Sequence, residues 1–575
     1  MKREYRSTQN ILLVYPYIPD TYWSYRHAVR FAGKKALIPP LGLLTVAAMV
    51  PEGYECRLVD MNVEELTDKE LAWADMVMIS AMIVQKPSME DVIRRSRAAG
   101  LPVVAGGPYA TSCHHEIEGV DHFVLDEGEL TIPAFFRDLE AGTPQPMYRA
   151  DGRARMEETP VPRFELCNLS LYTTLPVQFS RGCPFDCEFC DIVSLFGHKP
   201  RTKPPAHILR ELDYAYDLGF RGAVFVVDDN FIGNKRCTME LLGELKKWQE
   251  DHGYPYRFST EASIDLAAKD DLLNAMADVG FNMVFIGLET PDEGSLAATG
   301  KVQNLKGDIR EAVRKIQRLG IEVTAGFIIG FDTDPPDIFQ RQVDFIQELA
   351  VPTAMVGLLM ALPNTRLWQR LEREGRMKGL SSGDNTHHTE LNFETMLPES
   401  LLEEGYRYVL SRVYDPRRYF DRAYRFLKMH PRKEVEHASQ AKEPIKWDQI
   451  AAFGRSLLFQ TFSRYGFWYV WYLIRAVAVR PNRIVRAVTL AVQGHHYFVI
   501  TRQTLAQAGV RNARKLRDPS AALTRSDVPR GNAIVRDGTE AVGGATEKKR
   551  RPPRREVAFE GVHGTLHAVE SSTTE

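Results

Sequence analysis

The chain is poor in cysteine, with seven among 575 residues. So few, and an odd number, exclude the disulfide framework of a small secreted scaffold. Charge of either sign is not in excess: the net charge is −2, which removes any global case for nucleic acid or another polyanion as partner. Long apolar runs are missing too. The most aromatic stretch, 456–479, is broken by Arg464 and Arg475, and its longest uncharged piece is ten residues. A membrane span needs roughly 20. The N-terminus, "MKREYRSTQNILLVYPY", has a short apolar run without a small-residue cleavage site. It reads as a first strand, not a signal peptide. These absences point to the reducing cytoplasm, where clustered cysteines bind metal more readily than they pair.

What is present is a folded, multidomain composition: 44% hydrophobic and 26% charged residues. At about 100–200 residues per domain, three or four domains are expected. Residues 1–150 alternate short apolar runs, "NILLVYP", "ECRLVD", "ADMVMISA", "LPVVAGG" and "DHFVLDEGE", with helical patterns. That alternation predicts an α/β, doubly wound, Rossmann-like parallel sheet, which takes ligands outside the carboxyl ends of its strands. Residues 151–170, rich in Pro and charge, read as a linker. Over 171–380, "PVQFSRG", "GAVFVVDDN", "YRFSTEAS", "NMVFIGLET", "EVTAGFIIGF" and "TAMVGLLMALP" head six βα units. This is too short for a full barrel of about 250 residues and fits a partial, six-unit TIM-like one. Residues 381–510 read as helical. Residues 511–575 are polar and Gly-rich, with "KKRRPPRR" at 548–555, and read as a disordered tail.

Three of the seven cysteines fall in "SRGCPFDCEFCD": Cys183, Cys187 and Cys190, spaced C-x3-C-x2-C. Thiolates are soft ligands, and such spacing lets one loop wrap an iron–sulfur cluster. Three ligands on a four-iron cubane leave one iron open to a substrate or cofactor. The rival readings are a zinc site with a distant fourth ligand, which more often uses two C-x2-C pairs, and chance proximity.

The C-x3-C-x-aromatic-C spacing, with Phe189 as the aromatic, resembles the signature of the radical SAM superfamily. It stands where that family has it, after the first barrel strand. The resemblance implies a 4Fe-4S cluster on Cys183, Cys187 and Cys190, with S-adenosylmethionine (SAM) chelating the open iron. It also implies a 5′-deoxyadenosyl radical that takes hydrogen from an unactivated carbon. By the same resemblance, Asp228, Asp229 and Asn230 of "VVDDNF" are expected near the methionyl amine. Glu261 and Glu289, ending the third and fourth strands, are expected to accept ribose hydroxyls. Gly326 and Gly330 of "GFIIGFD" would let adenine approach the backbone. Asp332 stands near the place where many members have Glu.

A parallel domain ahead of such a barrel resembles the cobalamin-binding domain of B12-dependent radical SAM proteins. The resemblance places cobalamin against Pro40 and Gly42 of "IPPLGLLTVAA", Ser80, Gly106 and Gly107 of "AGGPYAT", and Glu127 and Gly128 of "DEGE". The D-x-H-x-x-G string that supplies a lower cobalt ligand in many B12 domains is missing, and His27 reads as a loop histidine. "SCHHE" (112–116) reads as exposed polar residues, and Cys56 as core.

Residues 389–427 resemble the C-terminal domain of the hopanoid C2-methylase-like subset. The reading implied is a cobalamin-dependent radical SAM C-methyltransferase acting on an unactivated carbon of a hydrophobic or secondary metabolite. Its partners would be a small-molecule, lipid-like substrate and an electron donor such as flavodoxin or ferredoxin, with no nucleic acid. The 456–479 stretch has two readings, a buried helix covering the barrel or a peripheral membrane contact. The alternatives to methylation are a B12-dependent radical SAM cyclase or rearrangement enzyme, and a non-catalytic protein that binds cobalamin and a cluster.

Overall fold

Residues 9–387, 390–429, 447–510 and 512–522 are described by the structure, a computed structural model. Most of the tail 511–575, including 548–555, lies outside them, and so does the expectation of disorder there.

The first apolar run forms β1 (Asn10–Tyr15), whose Ile11, Leu12, Leu13 and Val14 are fully buried. A strand covered on both faces needs such a continuous run. Burying each of these side chains stabilises by about 1.5–3 kcal/mol. Around it lie β2 (Glu55–Asp60), β3 (Met76–Ser80), β4 (Val103–Gly106), β5 (His122–Val124) and β6 (Met147–Tyr148). All pairs are parallel, in the order β2-β1-β3-β4-β5-β6. This is the expected doubly wound sheet. The two-residue β6 is an addition that its sequence, "MY", is too short to announce. The strand order reverses between β1 and β3, so the ligand crevice belongs at the carboxyl ends of these strands.

The second series gives β7 (Thr174–Val177), β10 (Gly222–Val226), β11 (Tyr256–Glu261), β12 (Phe281–Glu289), β13 (Glu322–Ile329) and β14 (Ala354–Leu358). They form one parallel sheet in the order β14-β13-β12-β11-β10-β7. The six-unit count is met. The run expected as one strand at 176–182 is divided: β7 ends at Val177, and β8 (Ser180–Arg181) pairs antiparallel with β9 (Arg201–Thr202). That hairpin brackets the cysteine loop. Along β12 and β13, buried residues alternate near the carboxyl ends with the partly accessible Phe285, Gly287, Gly326 and Ile328. Such alternation separates an outer, helix-covered face from an inner one.

Helices follow at Glu399–Val413, Pro416–Met429, Trp447–Thr461, Gly466–Val479 and Ile484–Gln507. The helical expectation for 381–510 does not hold at its start, where the described residues of 381–398 form turns and bends but no helix. The 456–479 stretch is not one helix. It breaks at 462–465, where Gly466 N donates to Ser463 O at 3.0 Å. Nor is it simply buried, because Phe462 is 83% and Phe467 73% exposed. No described helix is long and apolar enough to cross a membrane.

Candidate functional site

The cysteine loop runs from β8 and is held by backbone bonds on several sides. Cys183 N donates to Gly197 O (3.3 Å), and Glu188 N donates to Thr299 O (2.8 Å). Gly182 adopts φ +95°, and a Cβ there would stand 2.8 Å from Gly197 O, so the turn into the loop requires glycine. All seven cysteines are free thiols. Burial pushes the Cys183 thiol up and that of Cys190 up to about 12. Among the described residues no three His, Cys, Asp or Glu side chains are arranged to hold a single metal ion.

Polar donors converge on the thiols. Gln303 Nε2 lies 3.6 Å from Cys187 Sγ, and Asn230 Nδ2 lies 3.9 Å from Cys183 Sγ. Asn230 is itself held by Ser263, whose backbone N donates to its Oδ1 at 3.3 Å. The Lys301 ammonium is close enough to act on all three thiols. It bonds Glu289 Oε1 at 2.7 Å, and its Nζ lies 5.8 Å from the Phe189 ring centre. Burial opposes that charge, yet Glu289 and Cys187 keep it above the ordinary lysine range. Sequence reading missed Lys301, which follows a short helix with no local signal. It also missed Gln303.

Beside this cationic point lies a carboxylate cluster at the ends of β10 and β11. Asp228 is committed to the fold: its Oδ1 accepts from Phe179 N (2.8 Å) and its Oδ2 from the Ser180 hydroxyl (2.6 Å). It ties β10 to the turn before the cysteines, so of the three expected acceptors it is the one already held by the fold. Asp229 differs, because its buried Oδ2 has no hydrogen-bond partner. Burial alone raises Asp228 to about 6, against its hydrogen bonds from Ser180 and Phe179, whereas burial first and then neighbouring carboxylates raise Asp229 to about 7 and Glu261 to about 8. An unsatisfied buried carboxylate among other carboxylates fits a cationic ligand.

The remaining expectations divide. Glu289 has φ +63° and is paired with Lys301, so it orients that lysine. Gly330, at φ +107°, donates its N–H to Asp334 Oδ2 at 2.8 Å. A Cβ on Gly326 would stand 3.0 Å from Phe285 Cζ, so this glycine makes room for a ring at the inner face. Phe189 packs against Phe331, with ring centres 5.9 Å apart. Asp332 is bound by Arg370 and Arg376, at 2.8 and 2.6 Å, and clamps the barrel to the following helix.

In the N-terminal sheet, Ser80 ends β3 and Pro40 precedes the helix Leu41–Ala47. A Cβ on Gly42 would meet nothing within 4 Å, which leaves open space there. Met82, 42% exposed just beyond β3, adds an apolar surface at the same edge. Gly106, Gly107 and Gly128 have internal reasons. A Cβ would stand 2.6 Å from Val124 O at Gly106, overlap Ser80 at Gly107, and lie 3.2 Å from Met49 Cε at Gly128. Glu127 is held by ion pairs. Its oxygens take Arg181 Nη1 at 2.8 Å and Arg201 Nη2 at 2.8 Å, while Arg181 also grips Glu129 at 2.8 Å. These buried pairs fasten the sheet to the hairpin flanking the cysteines and engage the Glu127 carboxylate within the protein. His27 sits 3.7 Å from Asp20 Oδ2, with its ring beside His496 of the last helix. His115 is exposed, as expected, and Cys56, on β2, packs against the core.

Comparison with known proteins follows the same division of the chain. Residues 32–136 match the B12 binding domain, 177–346 the radical SAM superfamily, and 365–509 a domain of unknown function, DUF4070. An uncharacterized methyltransferase of Synechocystis sp. is 48% identical over 421 residues, 73% of this chain and 78% of that protein. The hopanoid C-2 methylase of Rhodopseudomonas palustris is 36% identical over 72% of this chain and 78% of its own. Among solved structures, the cobalamin-dependent S-adenosylmethionine radical enzyme OxsB superposes with a TM-score of 0.54 at 15% identity, covering 88% of this chain and 81% of OxsB. That likeness concerns the fold. The chain belongs to the radical SAM superfamily, in the group whose barrel follows a B12 binding domain and which includes the hopanoid C-2 methylase. It is an enzyme, with a 4Fe-4S cluster, SAM and cobalamin as its cofactors.

Proposed function

We propose that this enzyme transfers a methyl group to an unactivated sp³ carbon of a small hydrophobic molecule. The observation that carries the substrate class is the inner face of the barrel. Trp23, from the segment after β1, reaches to Phe285 of β12, with ring centres 5.2 Å apart. Next to it, Gly326 and Gly357 present bare backbone, the latter beneath the Asn385 side chain. The Phe285 ring and the Asn385 amide occupy the room these glycines leave, so this wall is largely aromatic with one amide.

The residues present fit the cofactors. Cys183, Cys187 and Cys190 would hold the cluster, with Lys301, Gln303 and Asn230 supplying cation and N–H donors to the sulfur charge. Asp229, whose Oδ2 lacks a partner, would take the amino group of SAM, Glu261 its ribose hydroxyls, and Lys301 its carboxylate. Ser80, Gly42 and Met82 would face cobalamin. When bound, these groups supply a carbon-centred oxidising radical and a transferable methyl group. The chain's part is to bind, to orient and to exclude water. Trp23 and Phe285 shield the reacting carbon, and Glu289 fixes the lysine. The reductant is read as a flavodoxin- or ferredoxin-type protein, and a lipid-like substrate suits the aromatic wall.

The test is isotope tracing. The protein, reconstituted anaerobically with iron, sulfide and cobalamin, is given reductant, SAM with a deuterated methyl group, and extract from cells lacking it. Label in one compound, with deoxyadenosine and S-adenosylhomocysteine formed together, is the expected result. Deoxyadenosine without label transfer would replace methylation by cyclisation or rearrangement.

A further inference from the structure

Far from the cysteine loop, the helices Trp447–Thr461 and Gly466–Val479 carry an apolar surface that no described element covers. Within Gly466–Val479 the residues split into two faces. Tyr469, Tyr472, Leu473 and Ala476 are buried against the helices Pro416–Met429 and Ile484–Gln507. Phe467, Val470, Trp471, Ile474 and Val477, at helical spacing, are between 37% and 73% exposed. The preceding helix and turn continue the surface with Leu458 (59%), Phe459 (62%) and Phe462 (83%). Single exposed apolar residues are ordinary, but a contiguous patch of large ones on adjacent helices marks an interaction site.

Charge tells which partner. Between Asp448 and Asp518 the sequence holds eleven Arg and Lys residues and not one Asp or Glu, although Arg486 pairs with the buried Glu322 and Arg455 donates to Phe31 O. Arg464 lies in the turn between the two helices, and Arg480 and Arg483 lie at the far end. An apolar face with the exposed Arg464 in its turn and Arg475 on its helix, the latter facing one acidic neighbour, Asp421, at 4.0 Å, matches an anionic bilayer surface: the apolar groups enter the acyl boundary and the guanidinium groups stay at the phosphates. At 15 and 14 residues, the helices are about 21–23 Å long at 1.5 Å per residue, too short for a core of about 30 Å. They would lie on the membrane, not through it. The segments outside the described residues, 430–446 and 523–575, have no apolar run longer than three residues, so they are poorly suited to cover this face.

We infer that this helical hairpin docks the enzyme onto anionic lipid. The inference does not depend on which reaction the barrel performs, and its readout is binding.

The experiment is flotation of the holoenzyme with vesicles of phosphatidylcholine alone and with 30% phosphatidylglycerol, in low and high salt. Binding to the anionic vesicles, at least tenfold over the neutral ones and weakened by salt, is expected. Phe462→Glu with Phe467→Glu, both exposed and outside the core, should abolish it while leaving the cluster absorbance and the circular dichroism unchanged. In parallel, Trp471 fluorescence should be quenched by brominated lipid. No binding to either vesicle overturns the inference. So does binding that the double variant leaves intact, or a wild-type dimer that the same variant turns into a monomer, since a second copy would then be the occupant.

Discussion

At the scale of single residues, the site is a balance of buried charges in which each partner is identifiable. Lys301 is held by Glu289 at 2.7 Å and faces the thiol loop. With Lys301→Met, SAM is expected to bind about 10- to 100-fold more weakly, the worth of a charged hydrogen bond of about 1.5–3 kcal/mol. Lys301→Arg should recover part of the loss, and equilibrium dialysis of cluster-loaded protein measures both. An unchanged Kd for SAM in Lys301→Met would place the carboxylate elsewhere. The carboxylates give a pH dependence of definite sign. Asp229 is raised from 3.8 to about 7, and Glu261 from 4.5 to about 8. Between those values the folded protein holds more protons than the unfolded chain. Their contribution to stability is therefore full below about 4, falls progressively as pH rises from there, and is gone above about 7 to 8. Without SAM, the thermal midpoint should fall over that window. Asp229→Asn, or added SAM, should flatten the slope; a slope indifferent to both would mean that the cluster does not take the ammonium. Spacing alone identified the three cysteines, because their chemistry is local. It did not separate Asp228 from Asp229, because adjacent residues on one strand end point to different sides, one into the fold and one away from it. Lys301 was invisible for the opposite reason: its role comes only from the return of a loop onto the thiols. Glu127 looked like a ligand because it sits at a strand's carboxyl end, where two arginines from another part of the chain neutralise it.

At the scale of elements, period and punctuation carried most of the information. Buried parallel strands announce themselves as apolar runs, and ten of the eleven expected runs became single strands. Failures came where an element is too short to have a period, as in β6, β8 and β9. The break at 462–465 was hidden because aromatic residues continue through it. The helical region also shows what pattern reading cannot judge, the closeness of packing. A Cβ on Gly405 would overlap the Phe339 ring, and one on Gly494 the Tyr419 ring, whereas Gly454 faces open space. In a helix Ala is favoured over Gly by roughly 1 kcal/mol, while overpacking a core costs about 1–3 kcal/mol. Gly454→Ala should thus raise the thermal midpoint slightly, and Gly405→Ala and Gly494→Ala should lower it. Scanning calorimetry on the three variants decides. Equal stabilisation by all three would mean that these helices are not packed as tightly as their glycines imply.

At the scale of the whole molecule, the N-terminal sheet does more than supply a cofactor domain: it completes the barrel's inner surface. The partial barrel has free edges at β14 and β7. The segment after β1 runs along the β7 side, where Lys35 N donates to Leu171 O (2.8 Å) and Thr174 N donates to Leu37 O (3.0 Å). It is also held to the last helix, by Tyr497 Oη to Tyr25 Oη at 2.7 Å and by His496 Nε2 within 3.1 Å of Thr21 O. Trp23 lies between these anchors and meets Phe285. Three regions of sequence thus fix one side chain against the inner face of β12. Trp23 is 44% exposed, so its removal should cost little stability. If it positions substrate and keeps water out, Trp23→Ala should leave cluster, cobalamin and SAM binding intact. Deoxyadenosine should still form, but several-fold more of it should be released for each methyl group transferred, because a misplaced substrate intercepts the radical less often. Trp23→Phe should restore part of the coupling. The ratio of deoxyadenosine to methylated product, read by mass spectrometry once the substrate is known, separates this role from a merely structural one. A lower rate at an unchanged ratio would make the tryptophan a packing residue and return the task of shielding the carbon to Phe285 alone.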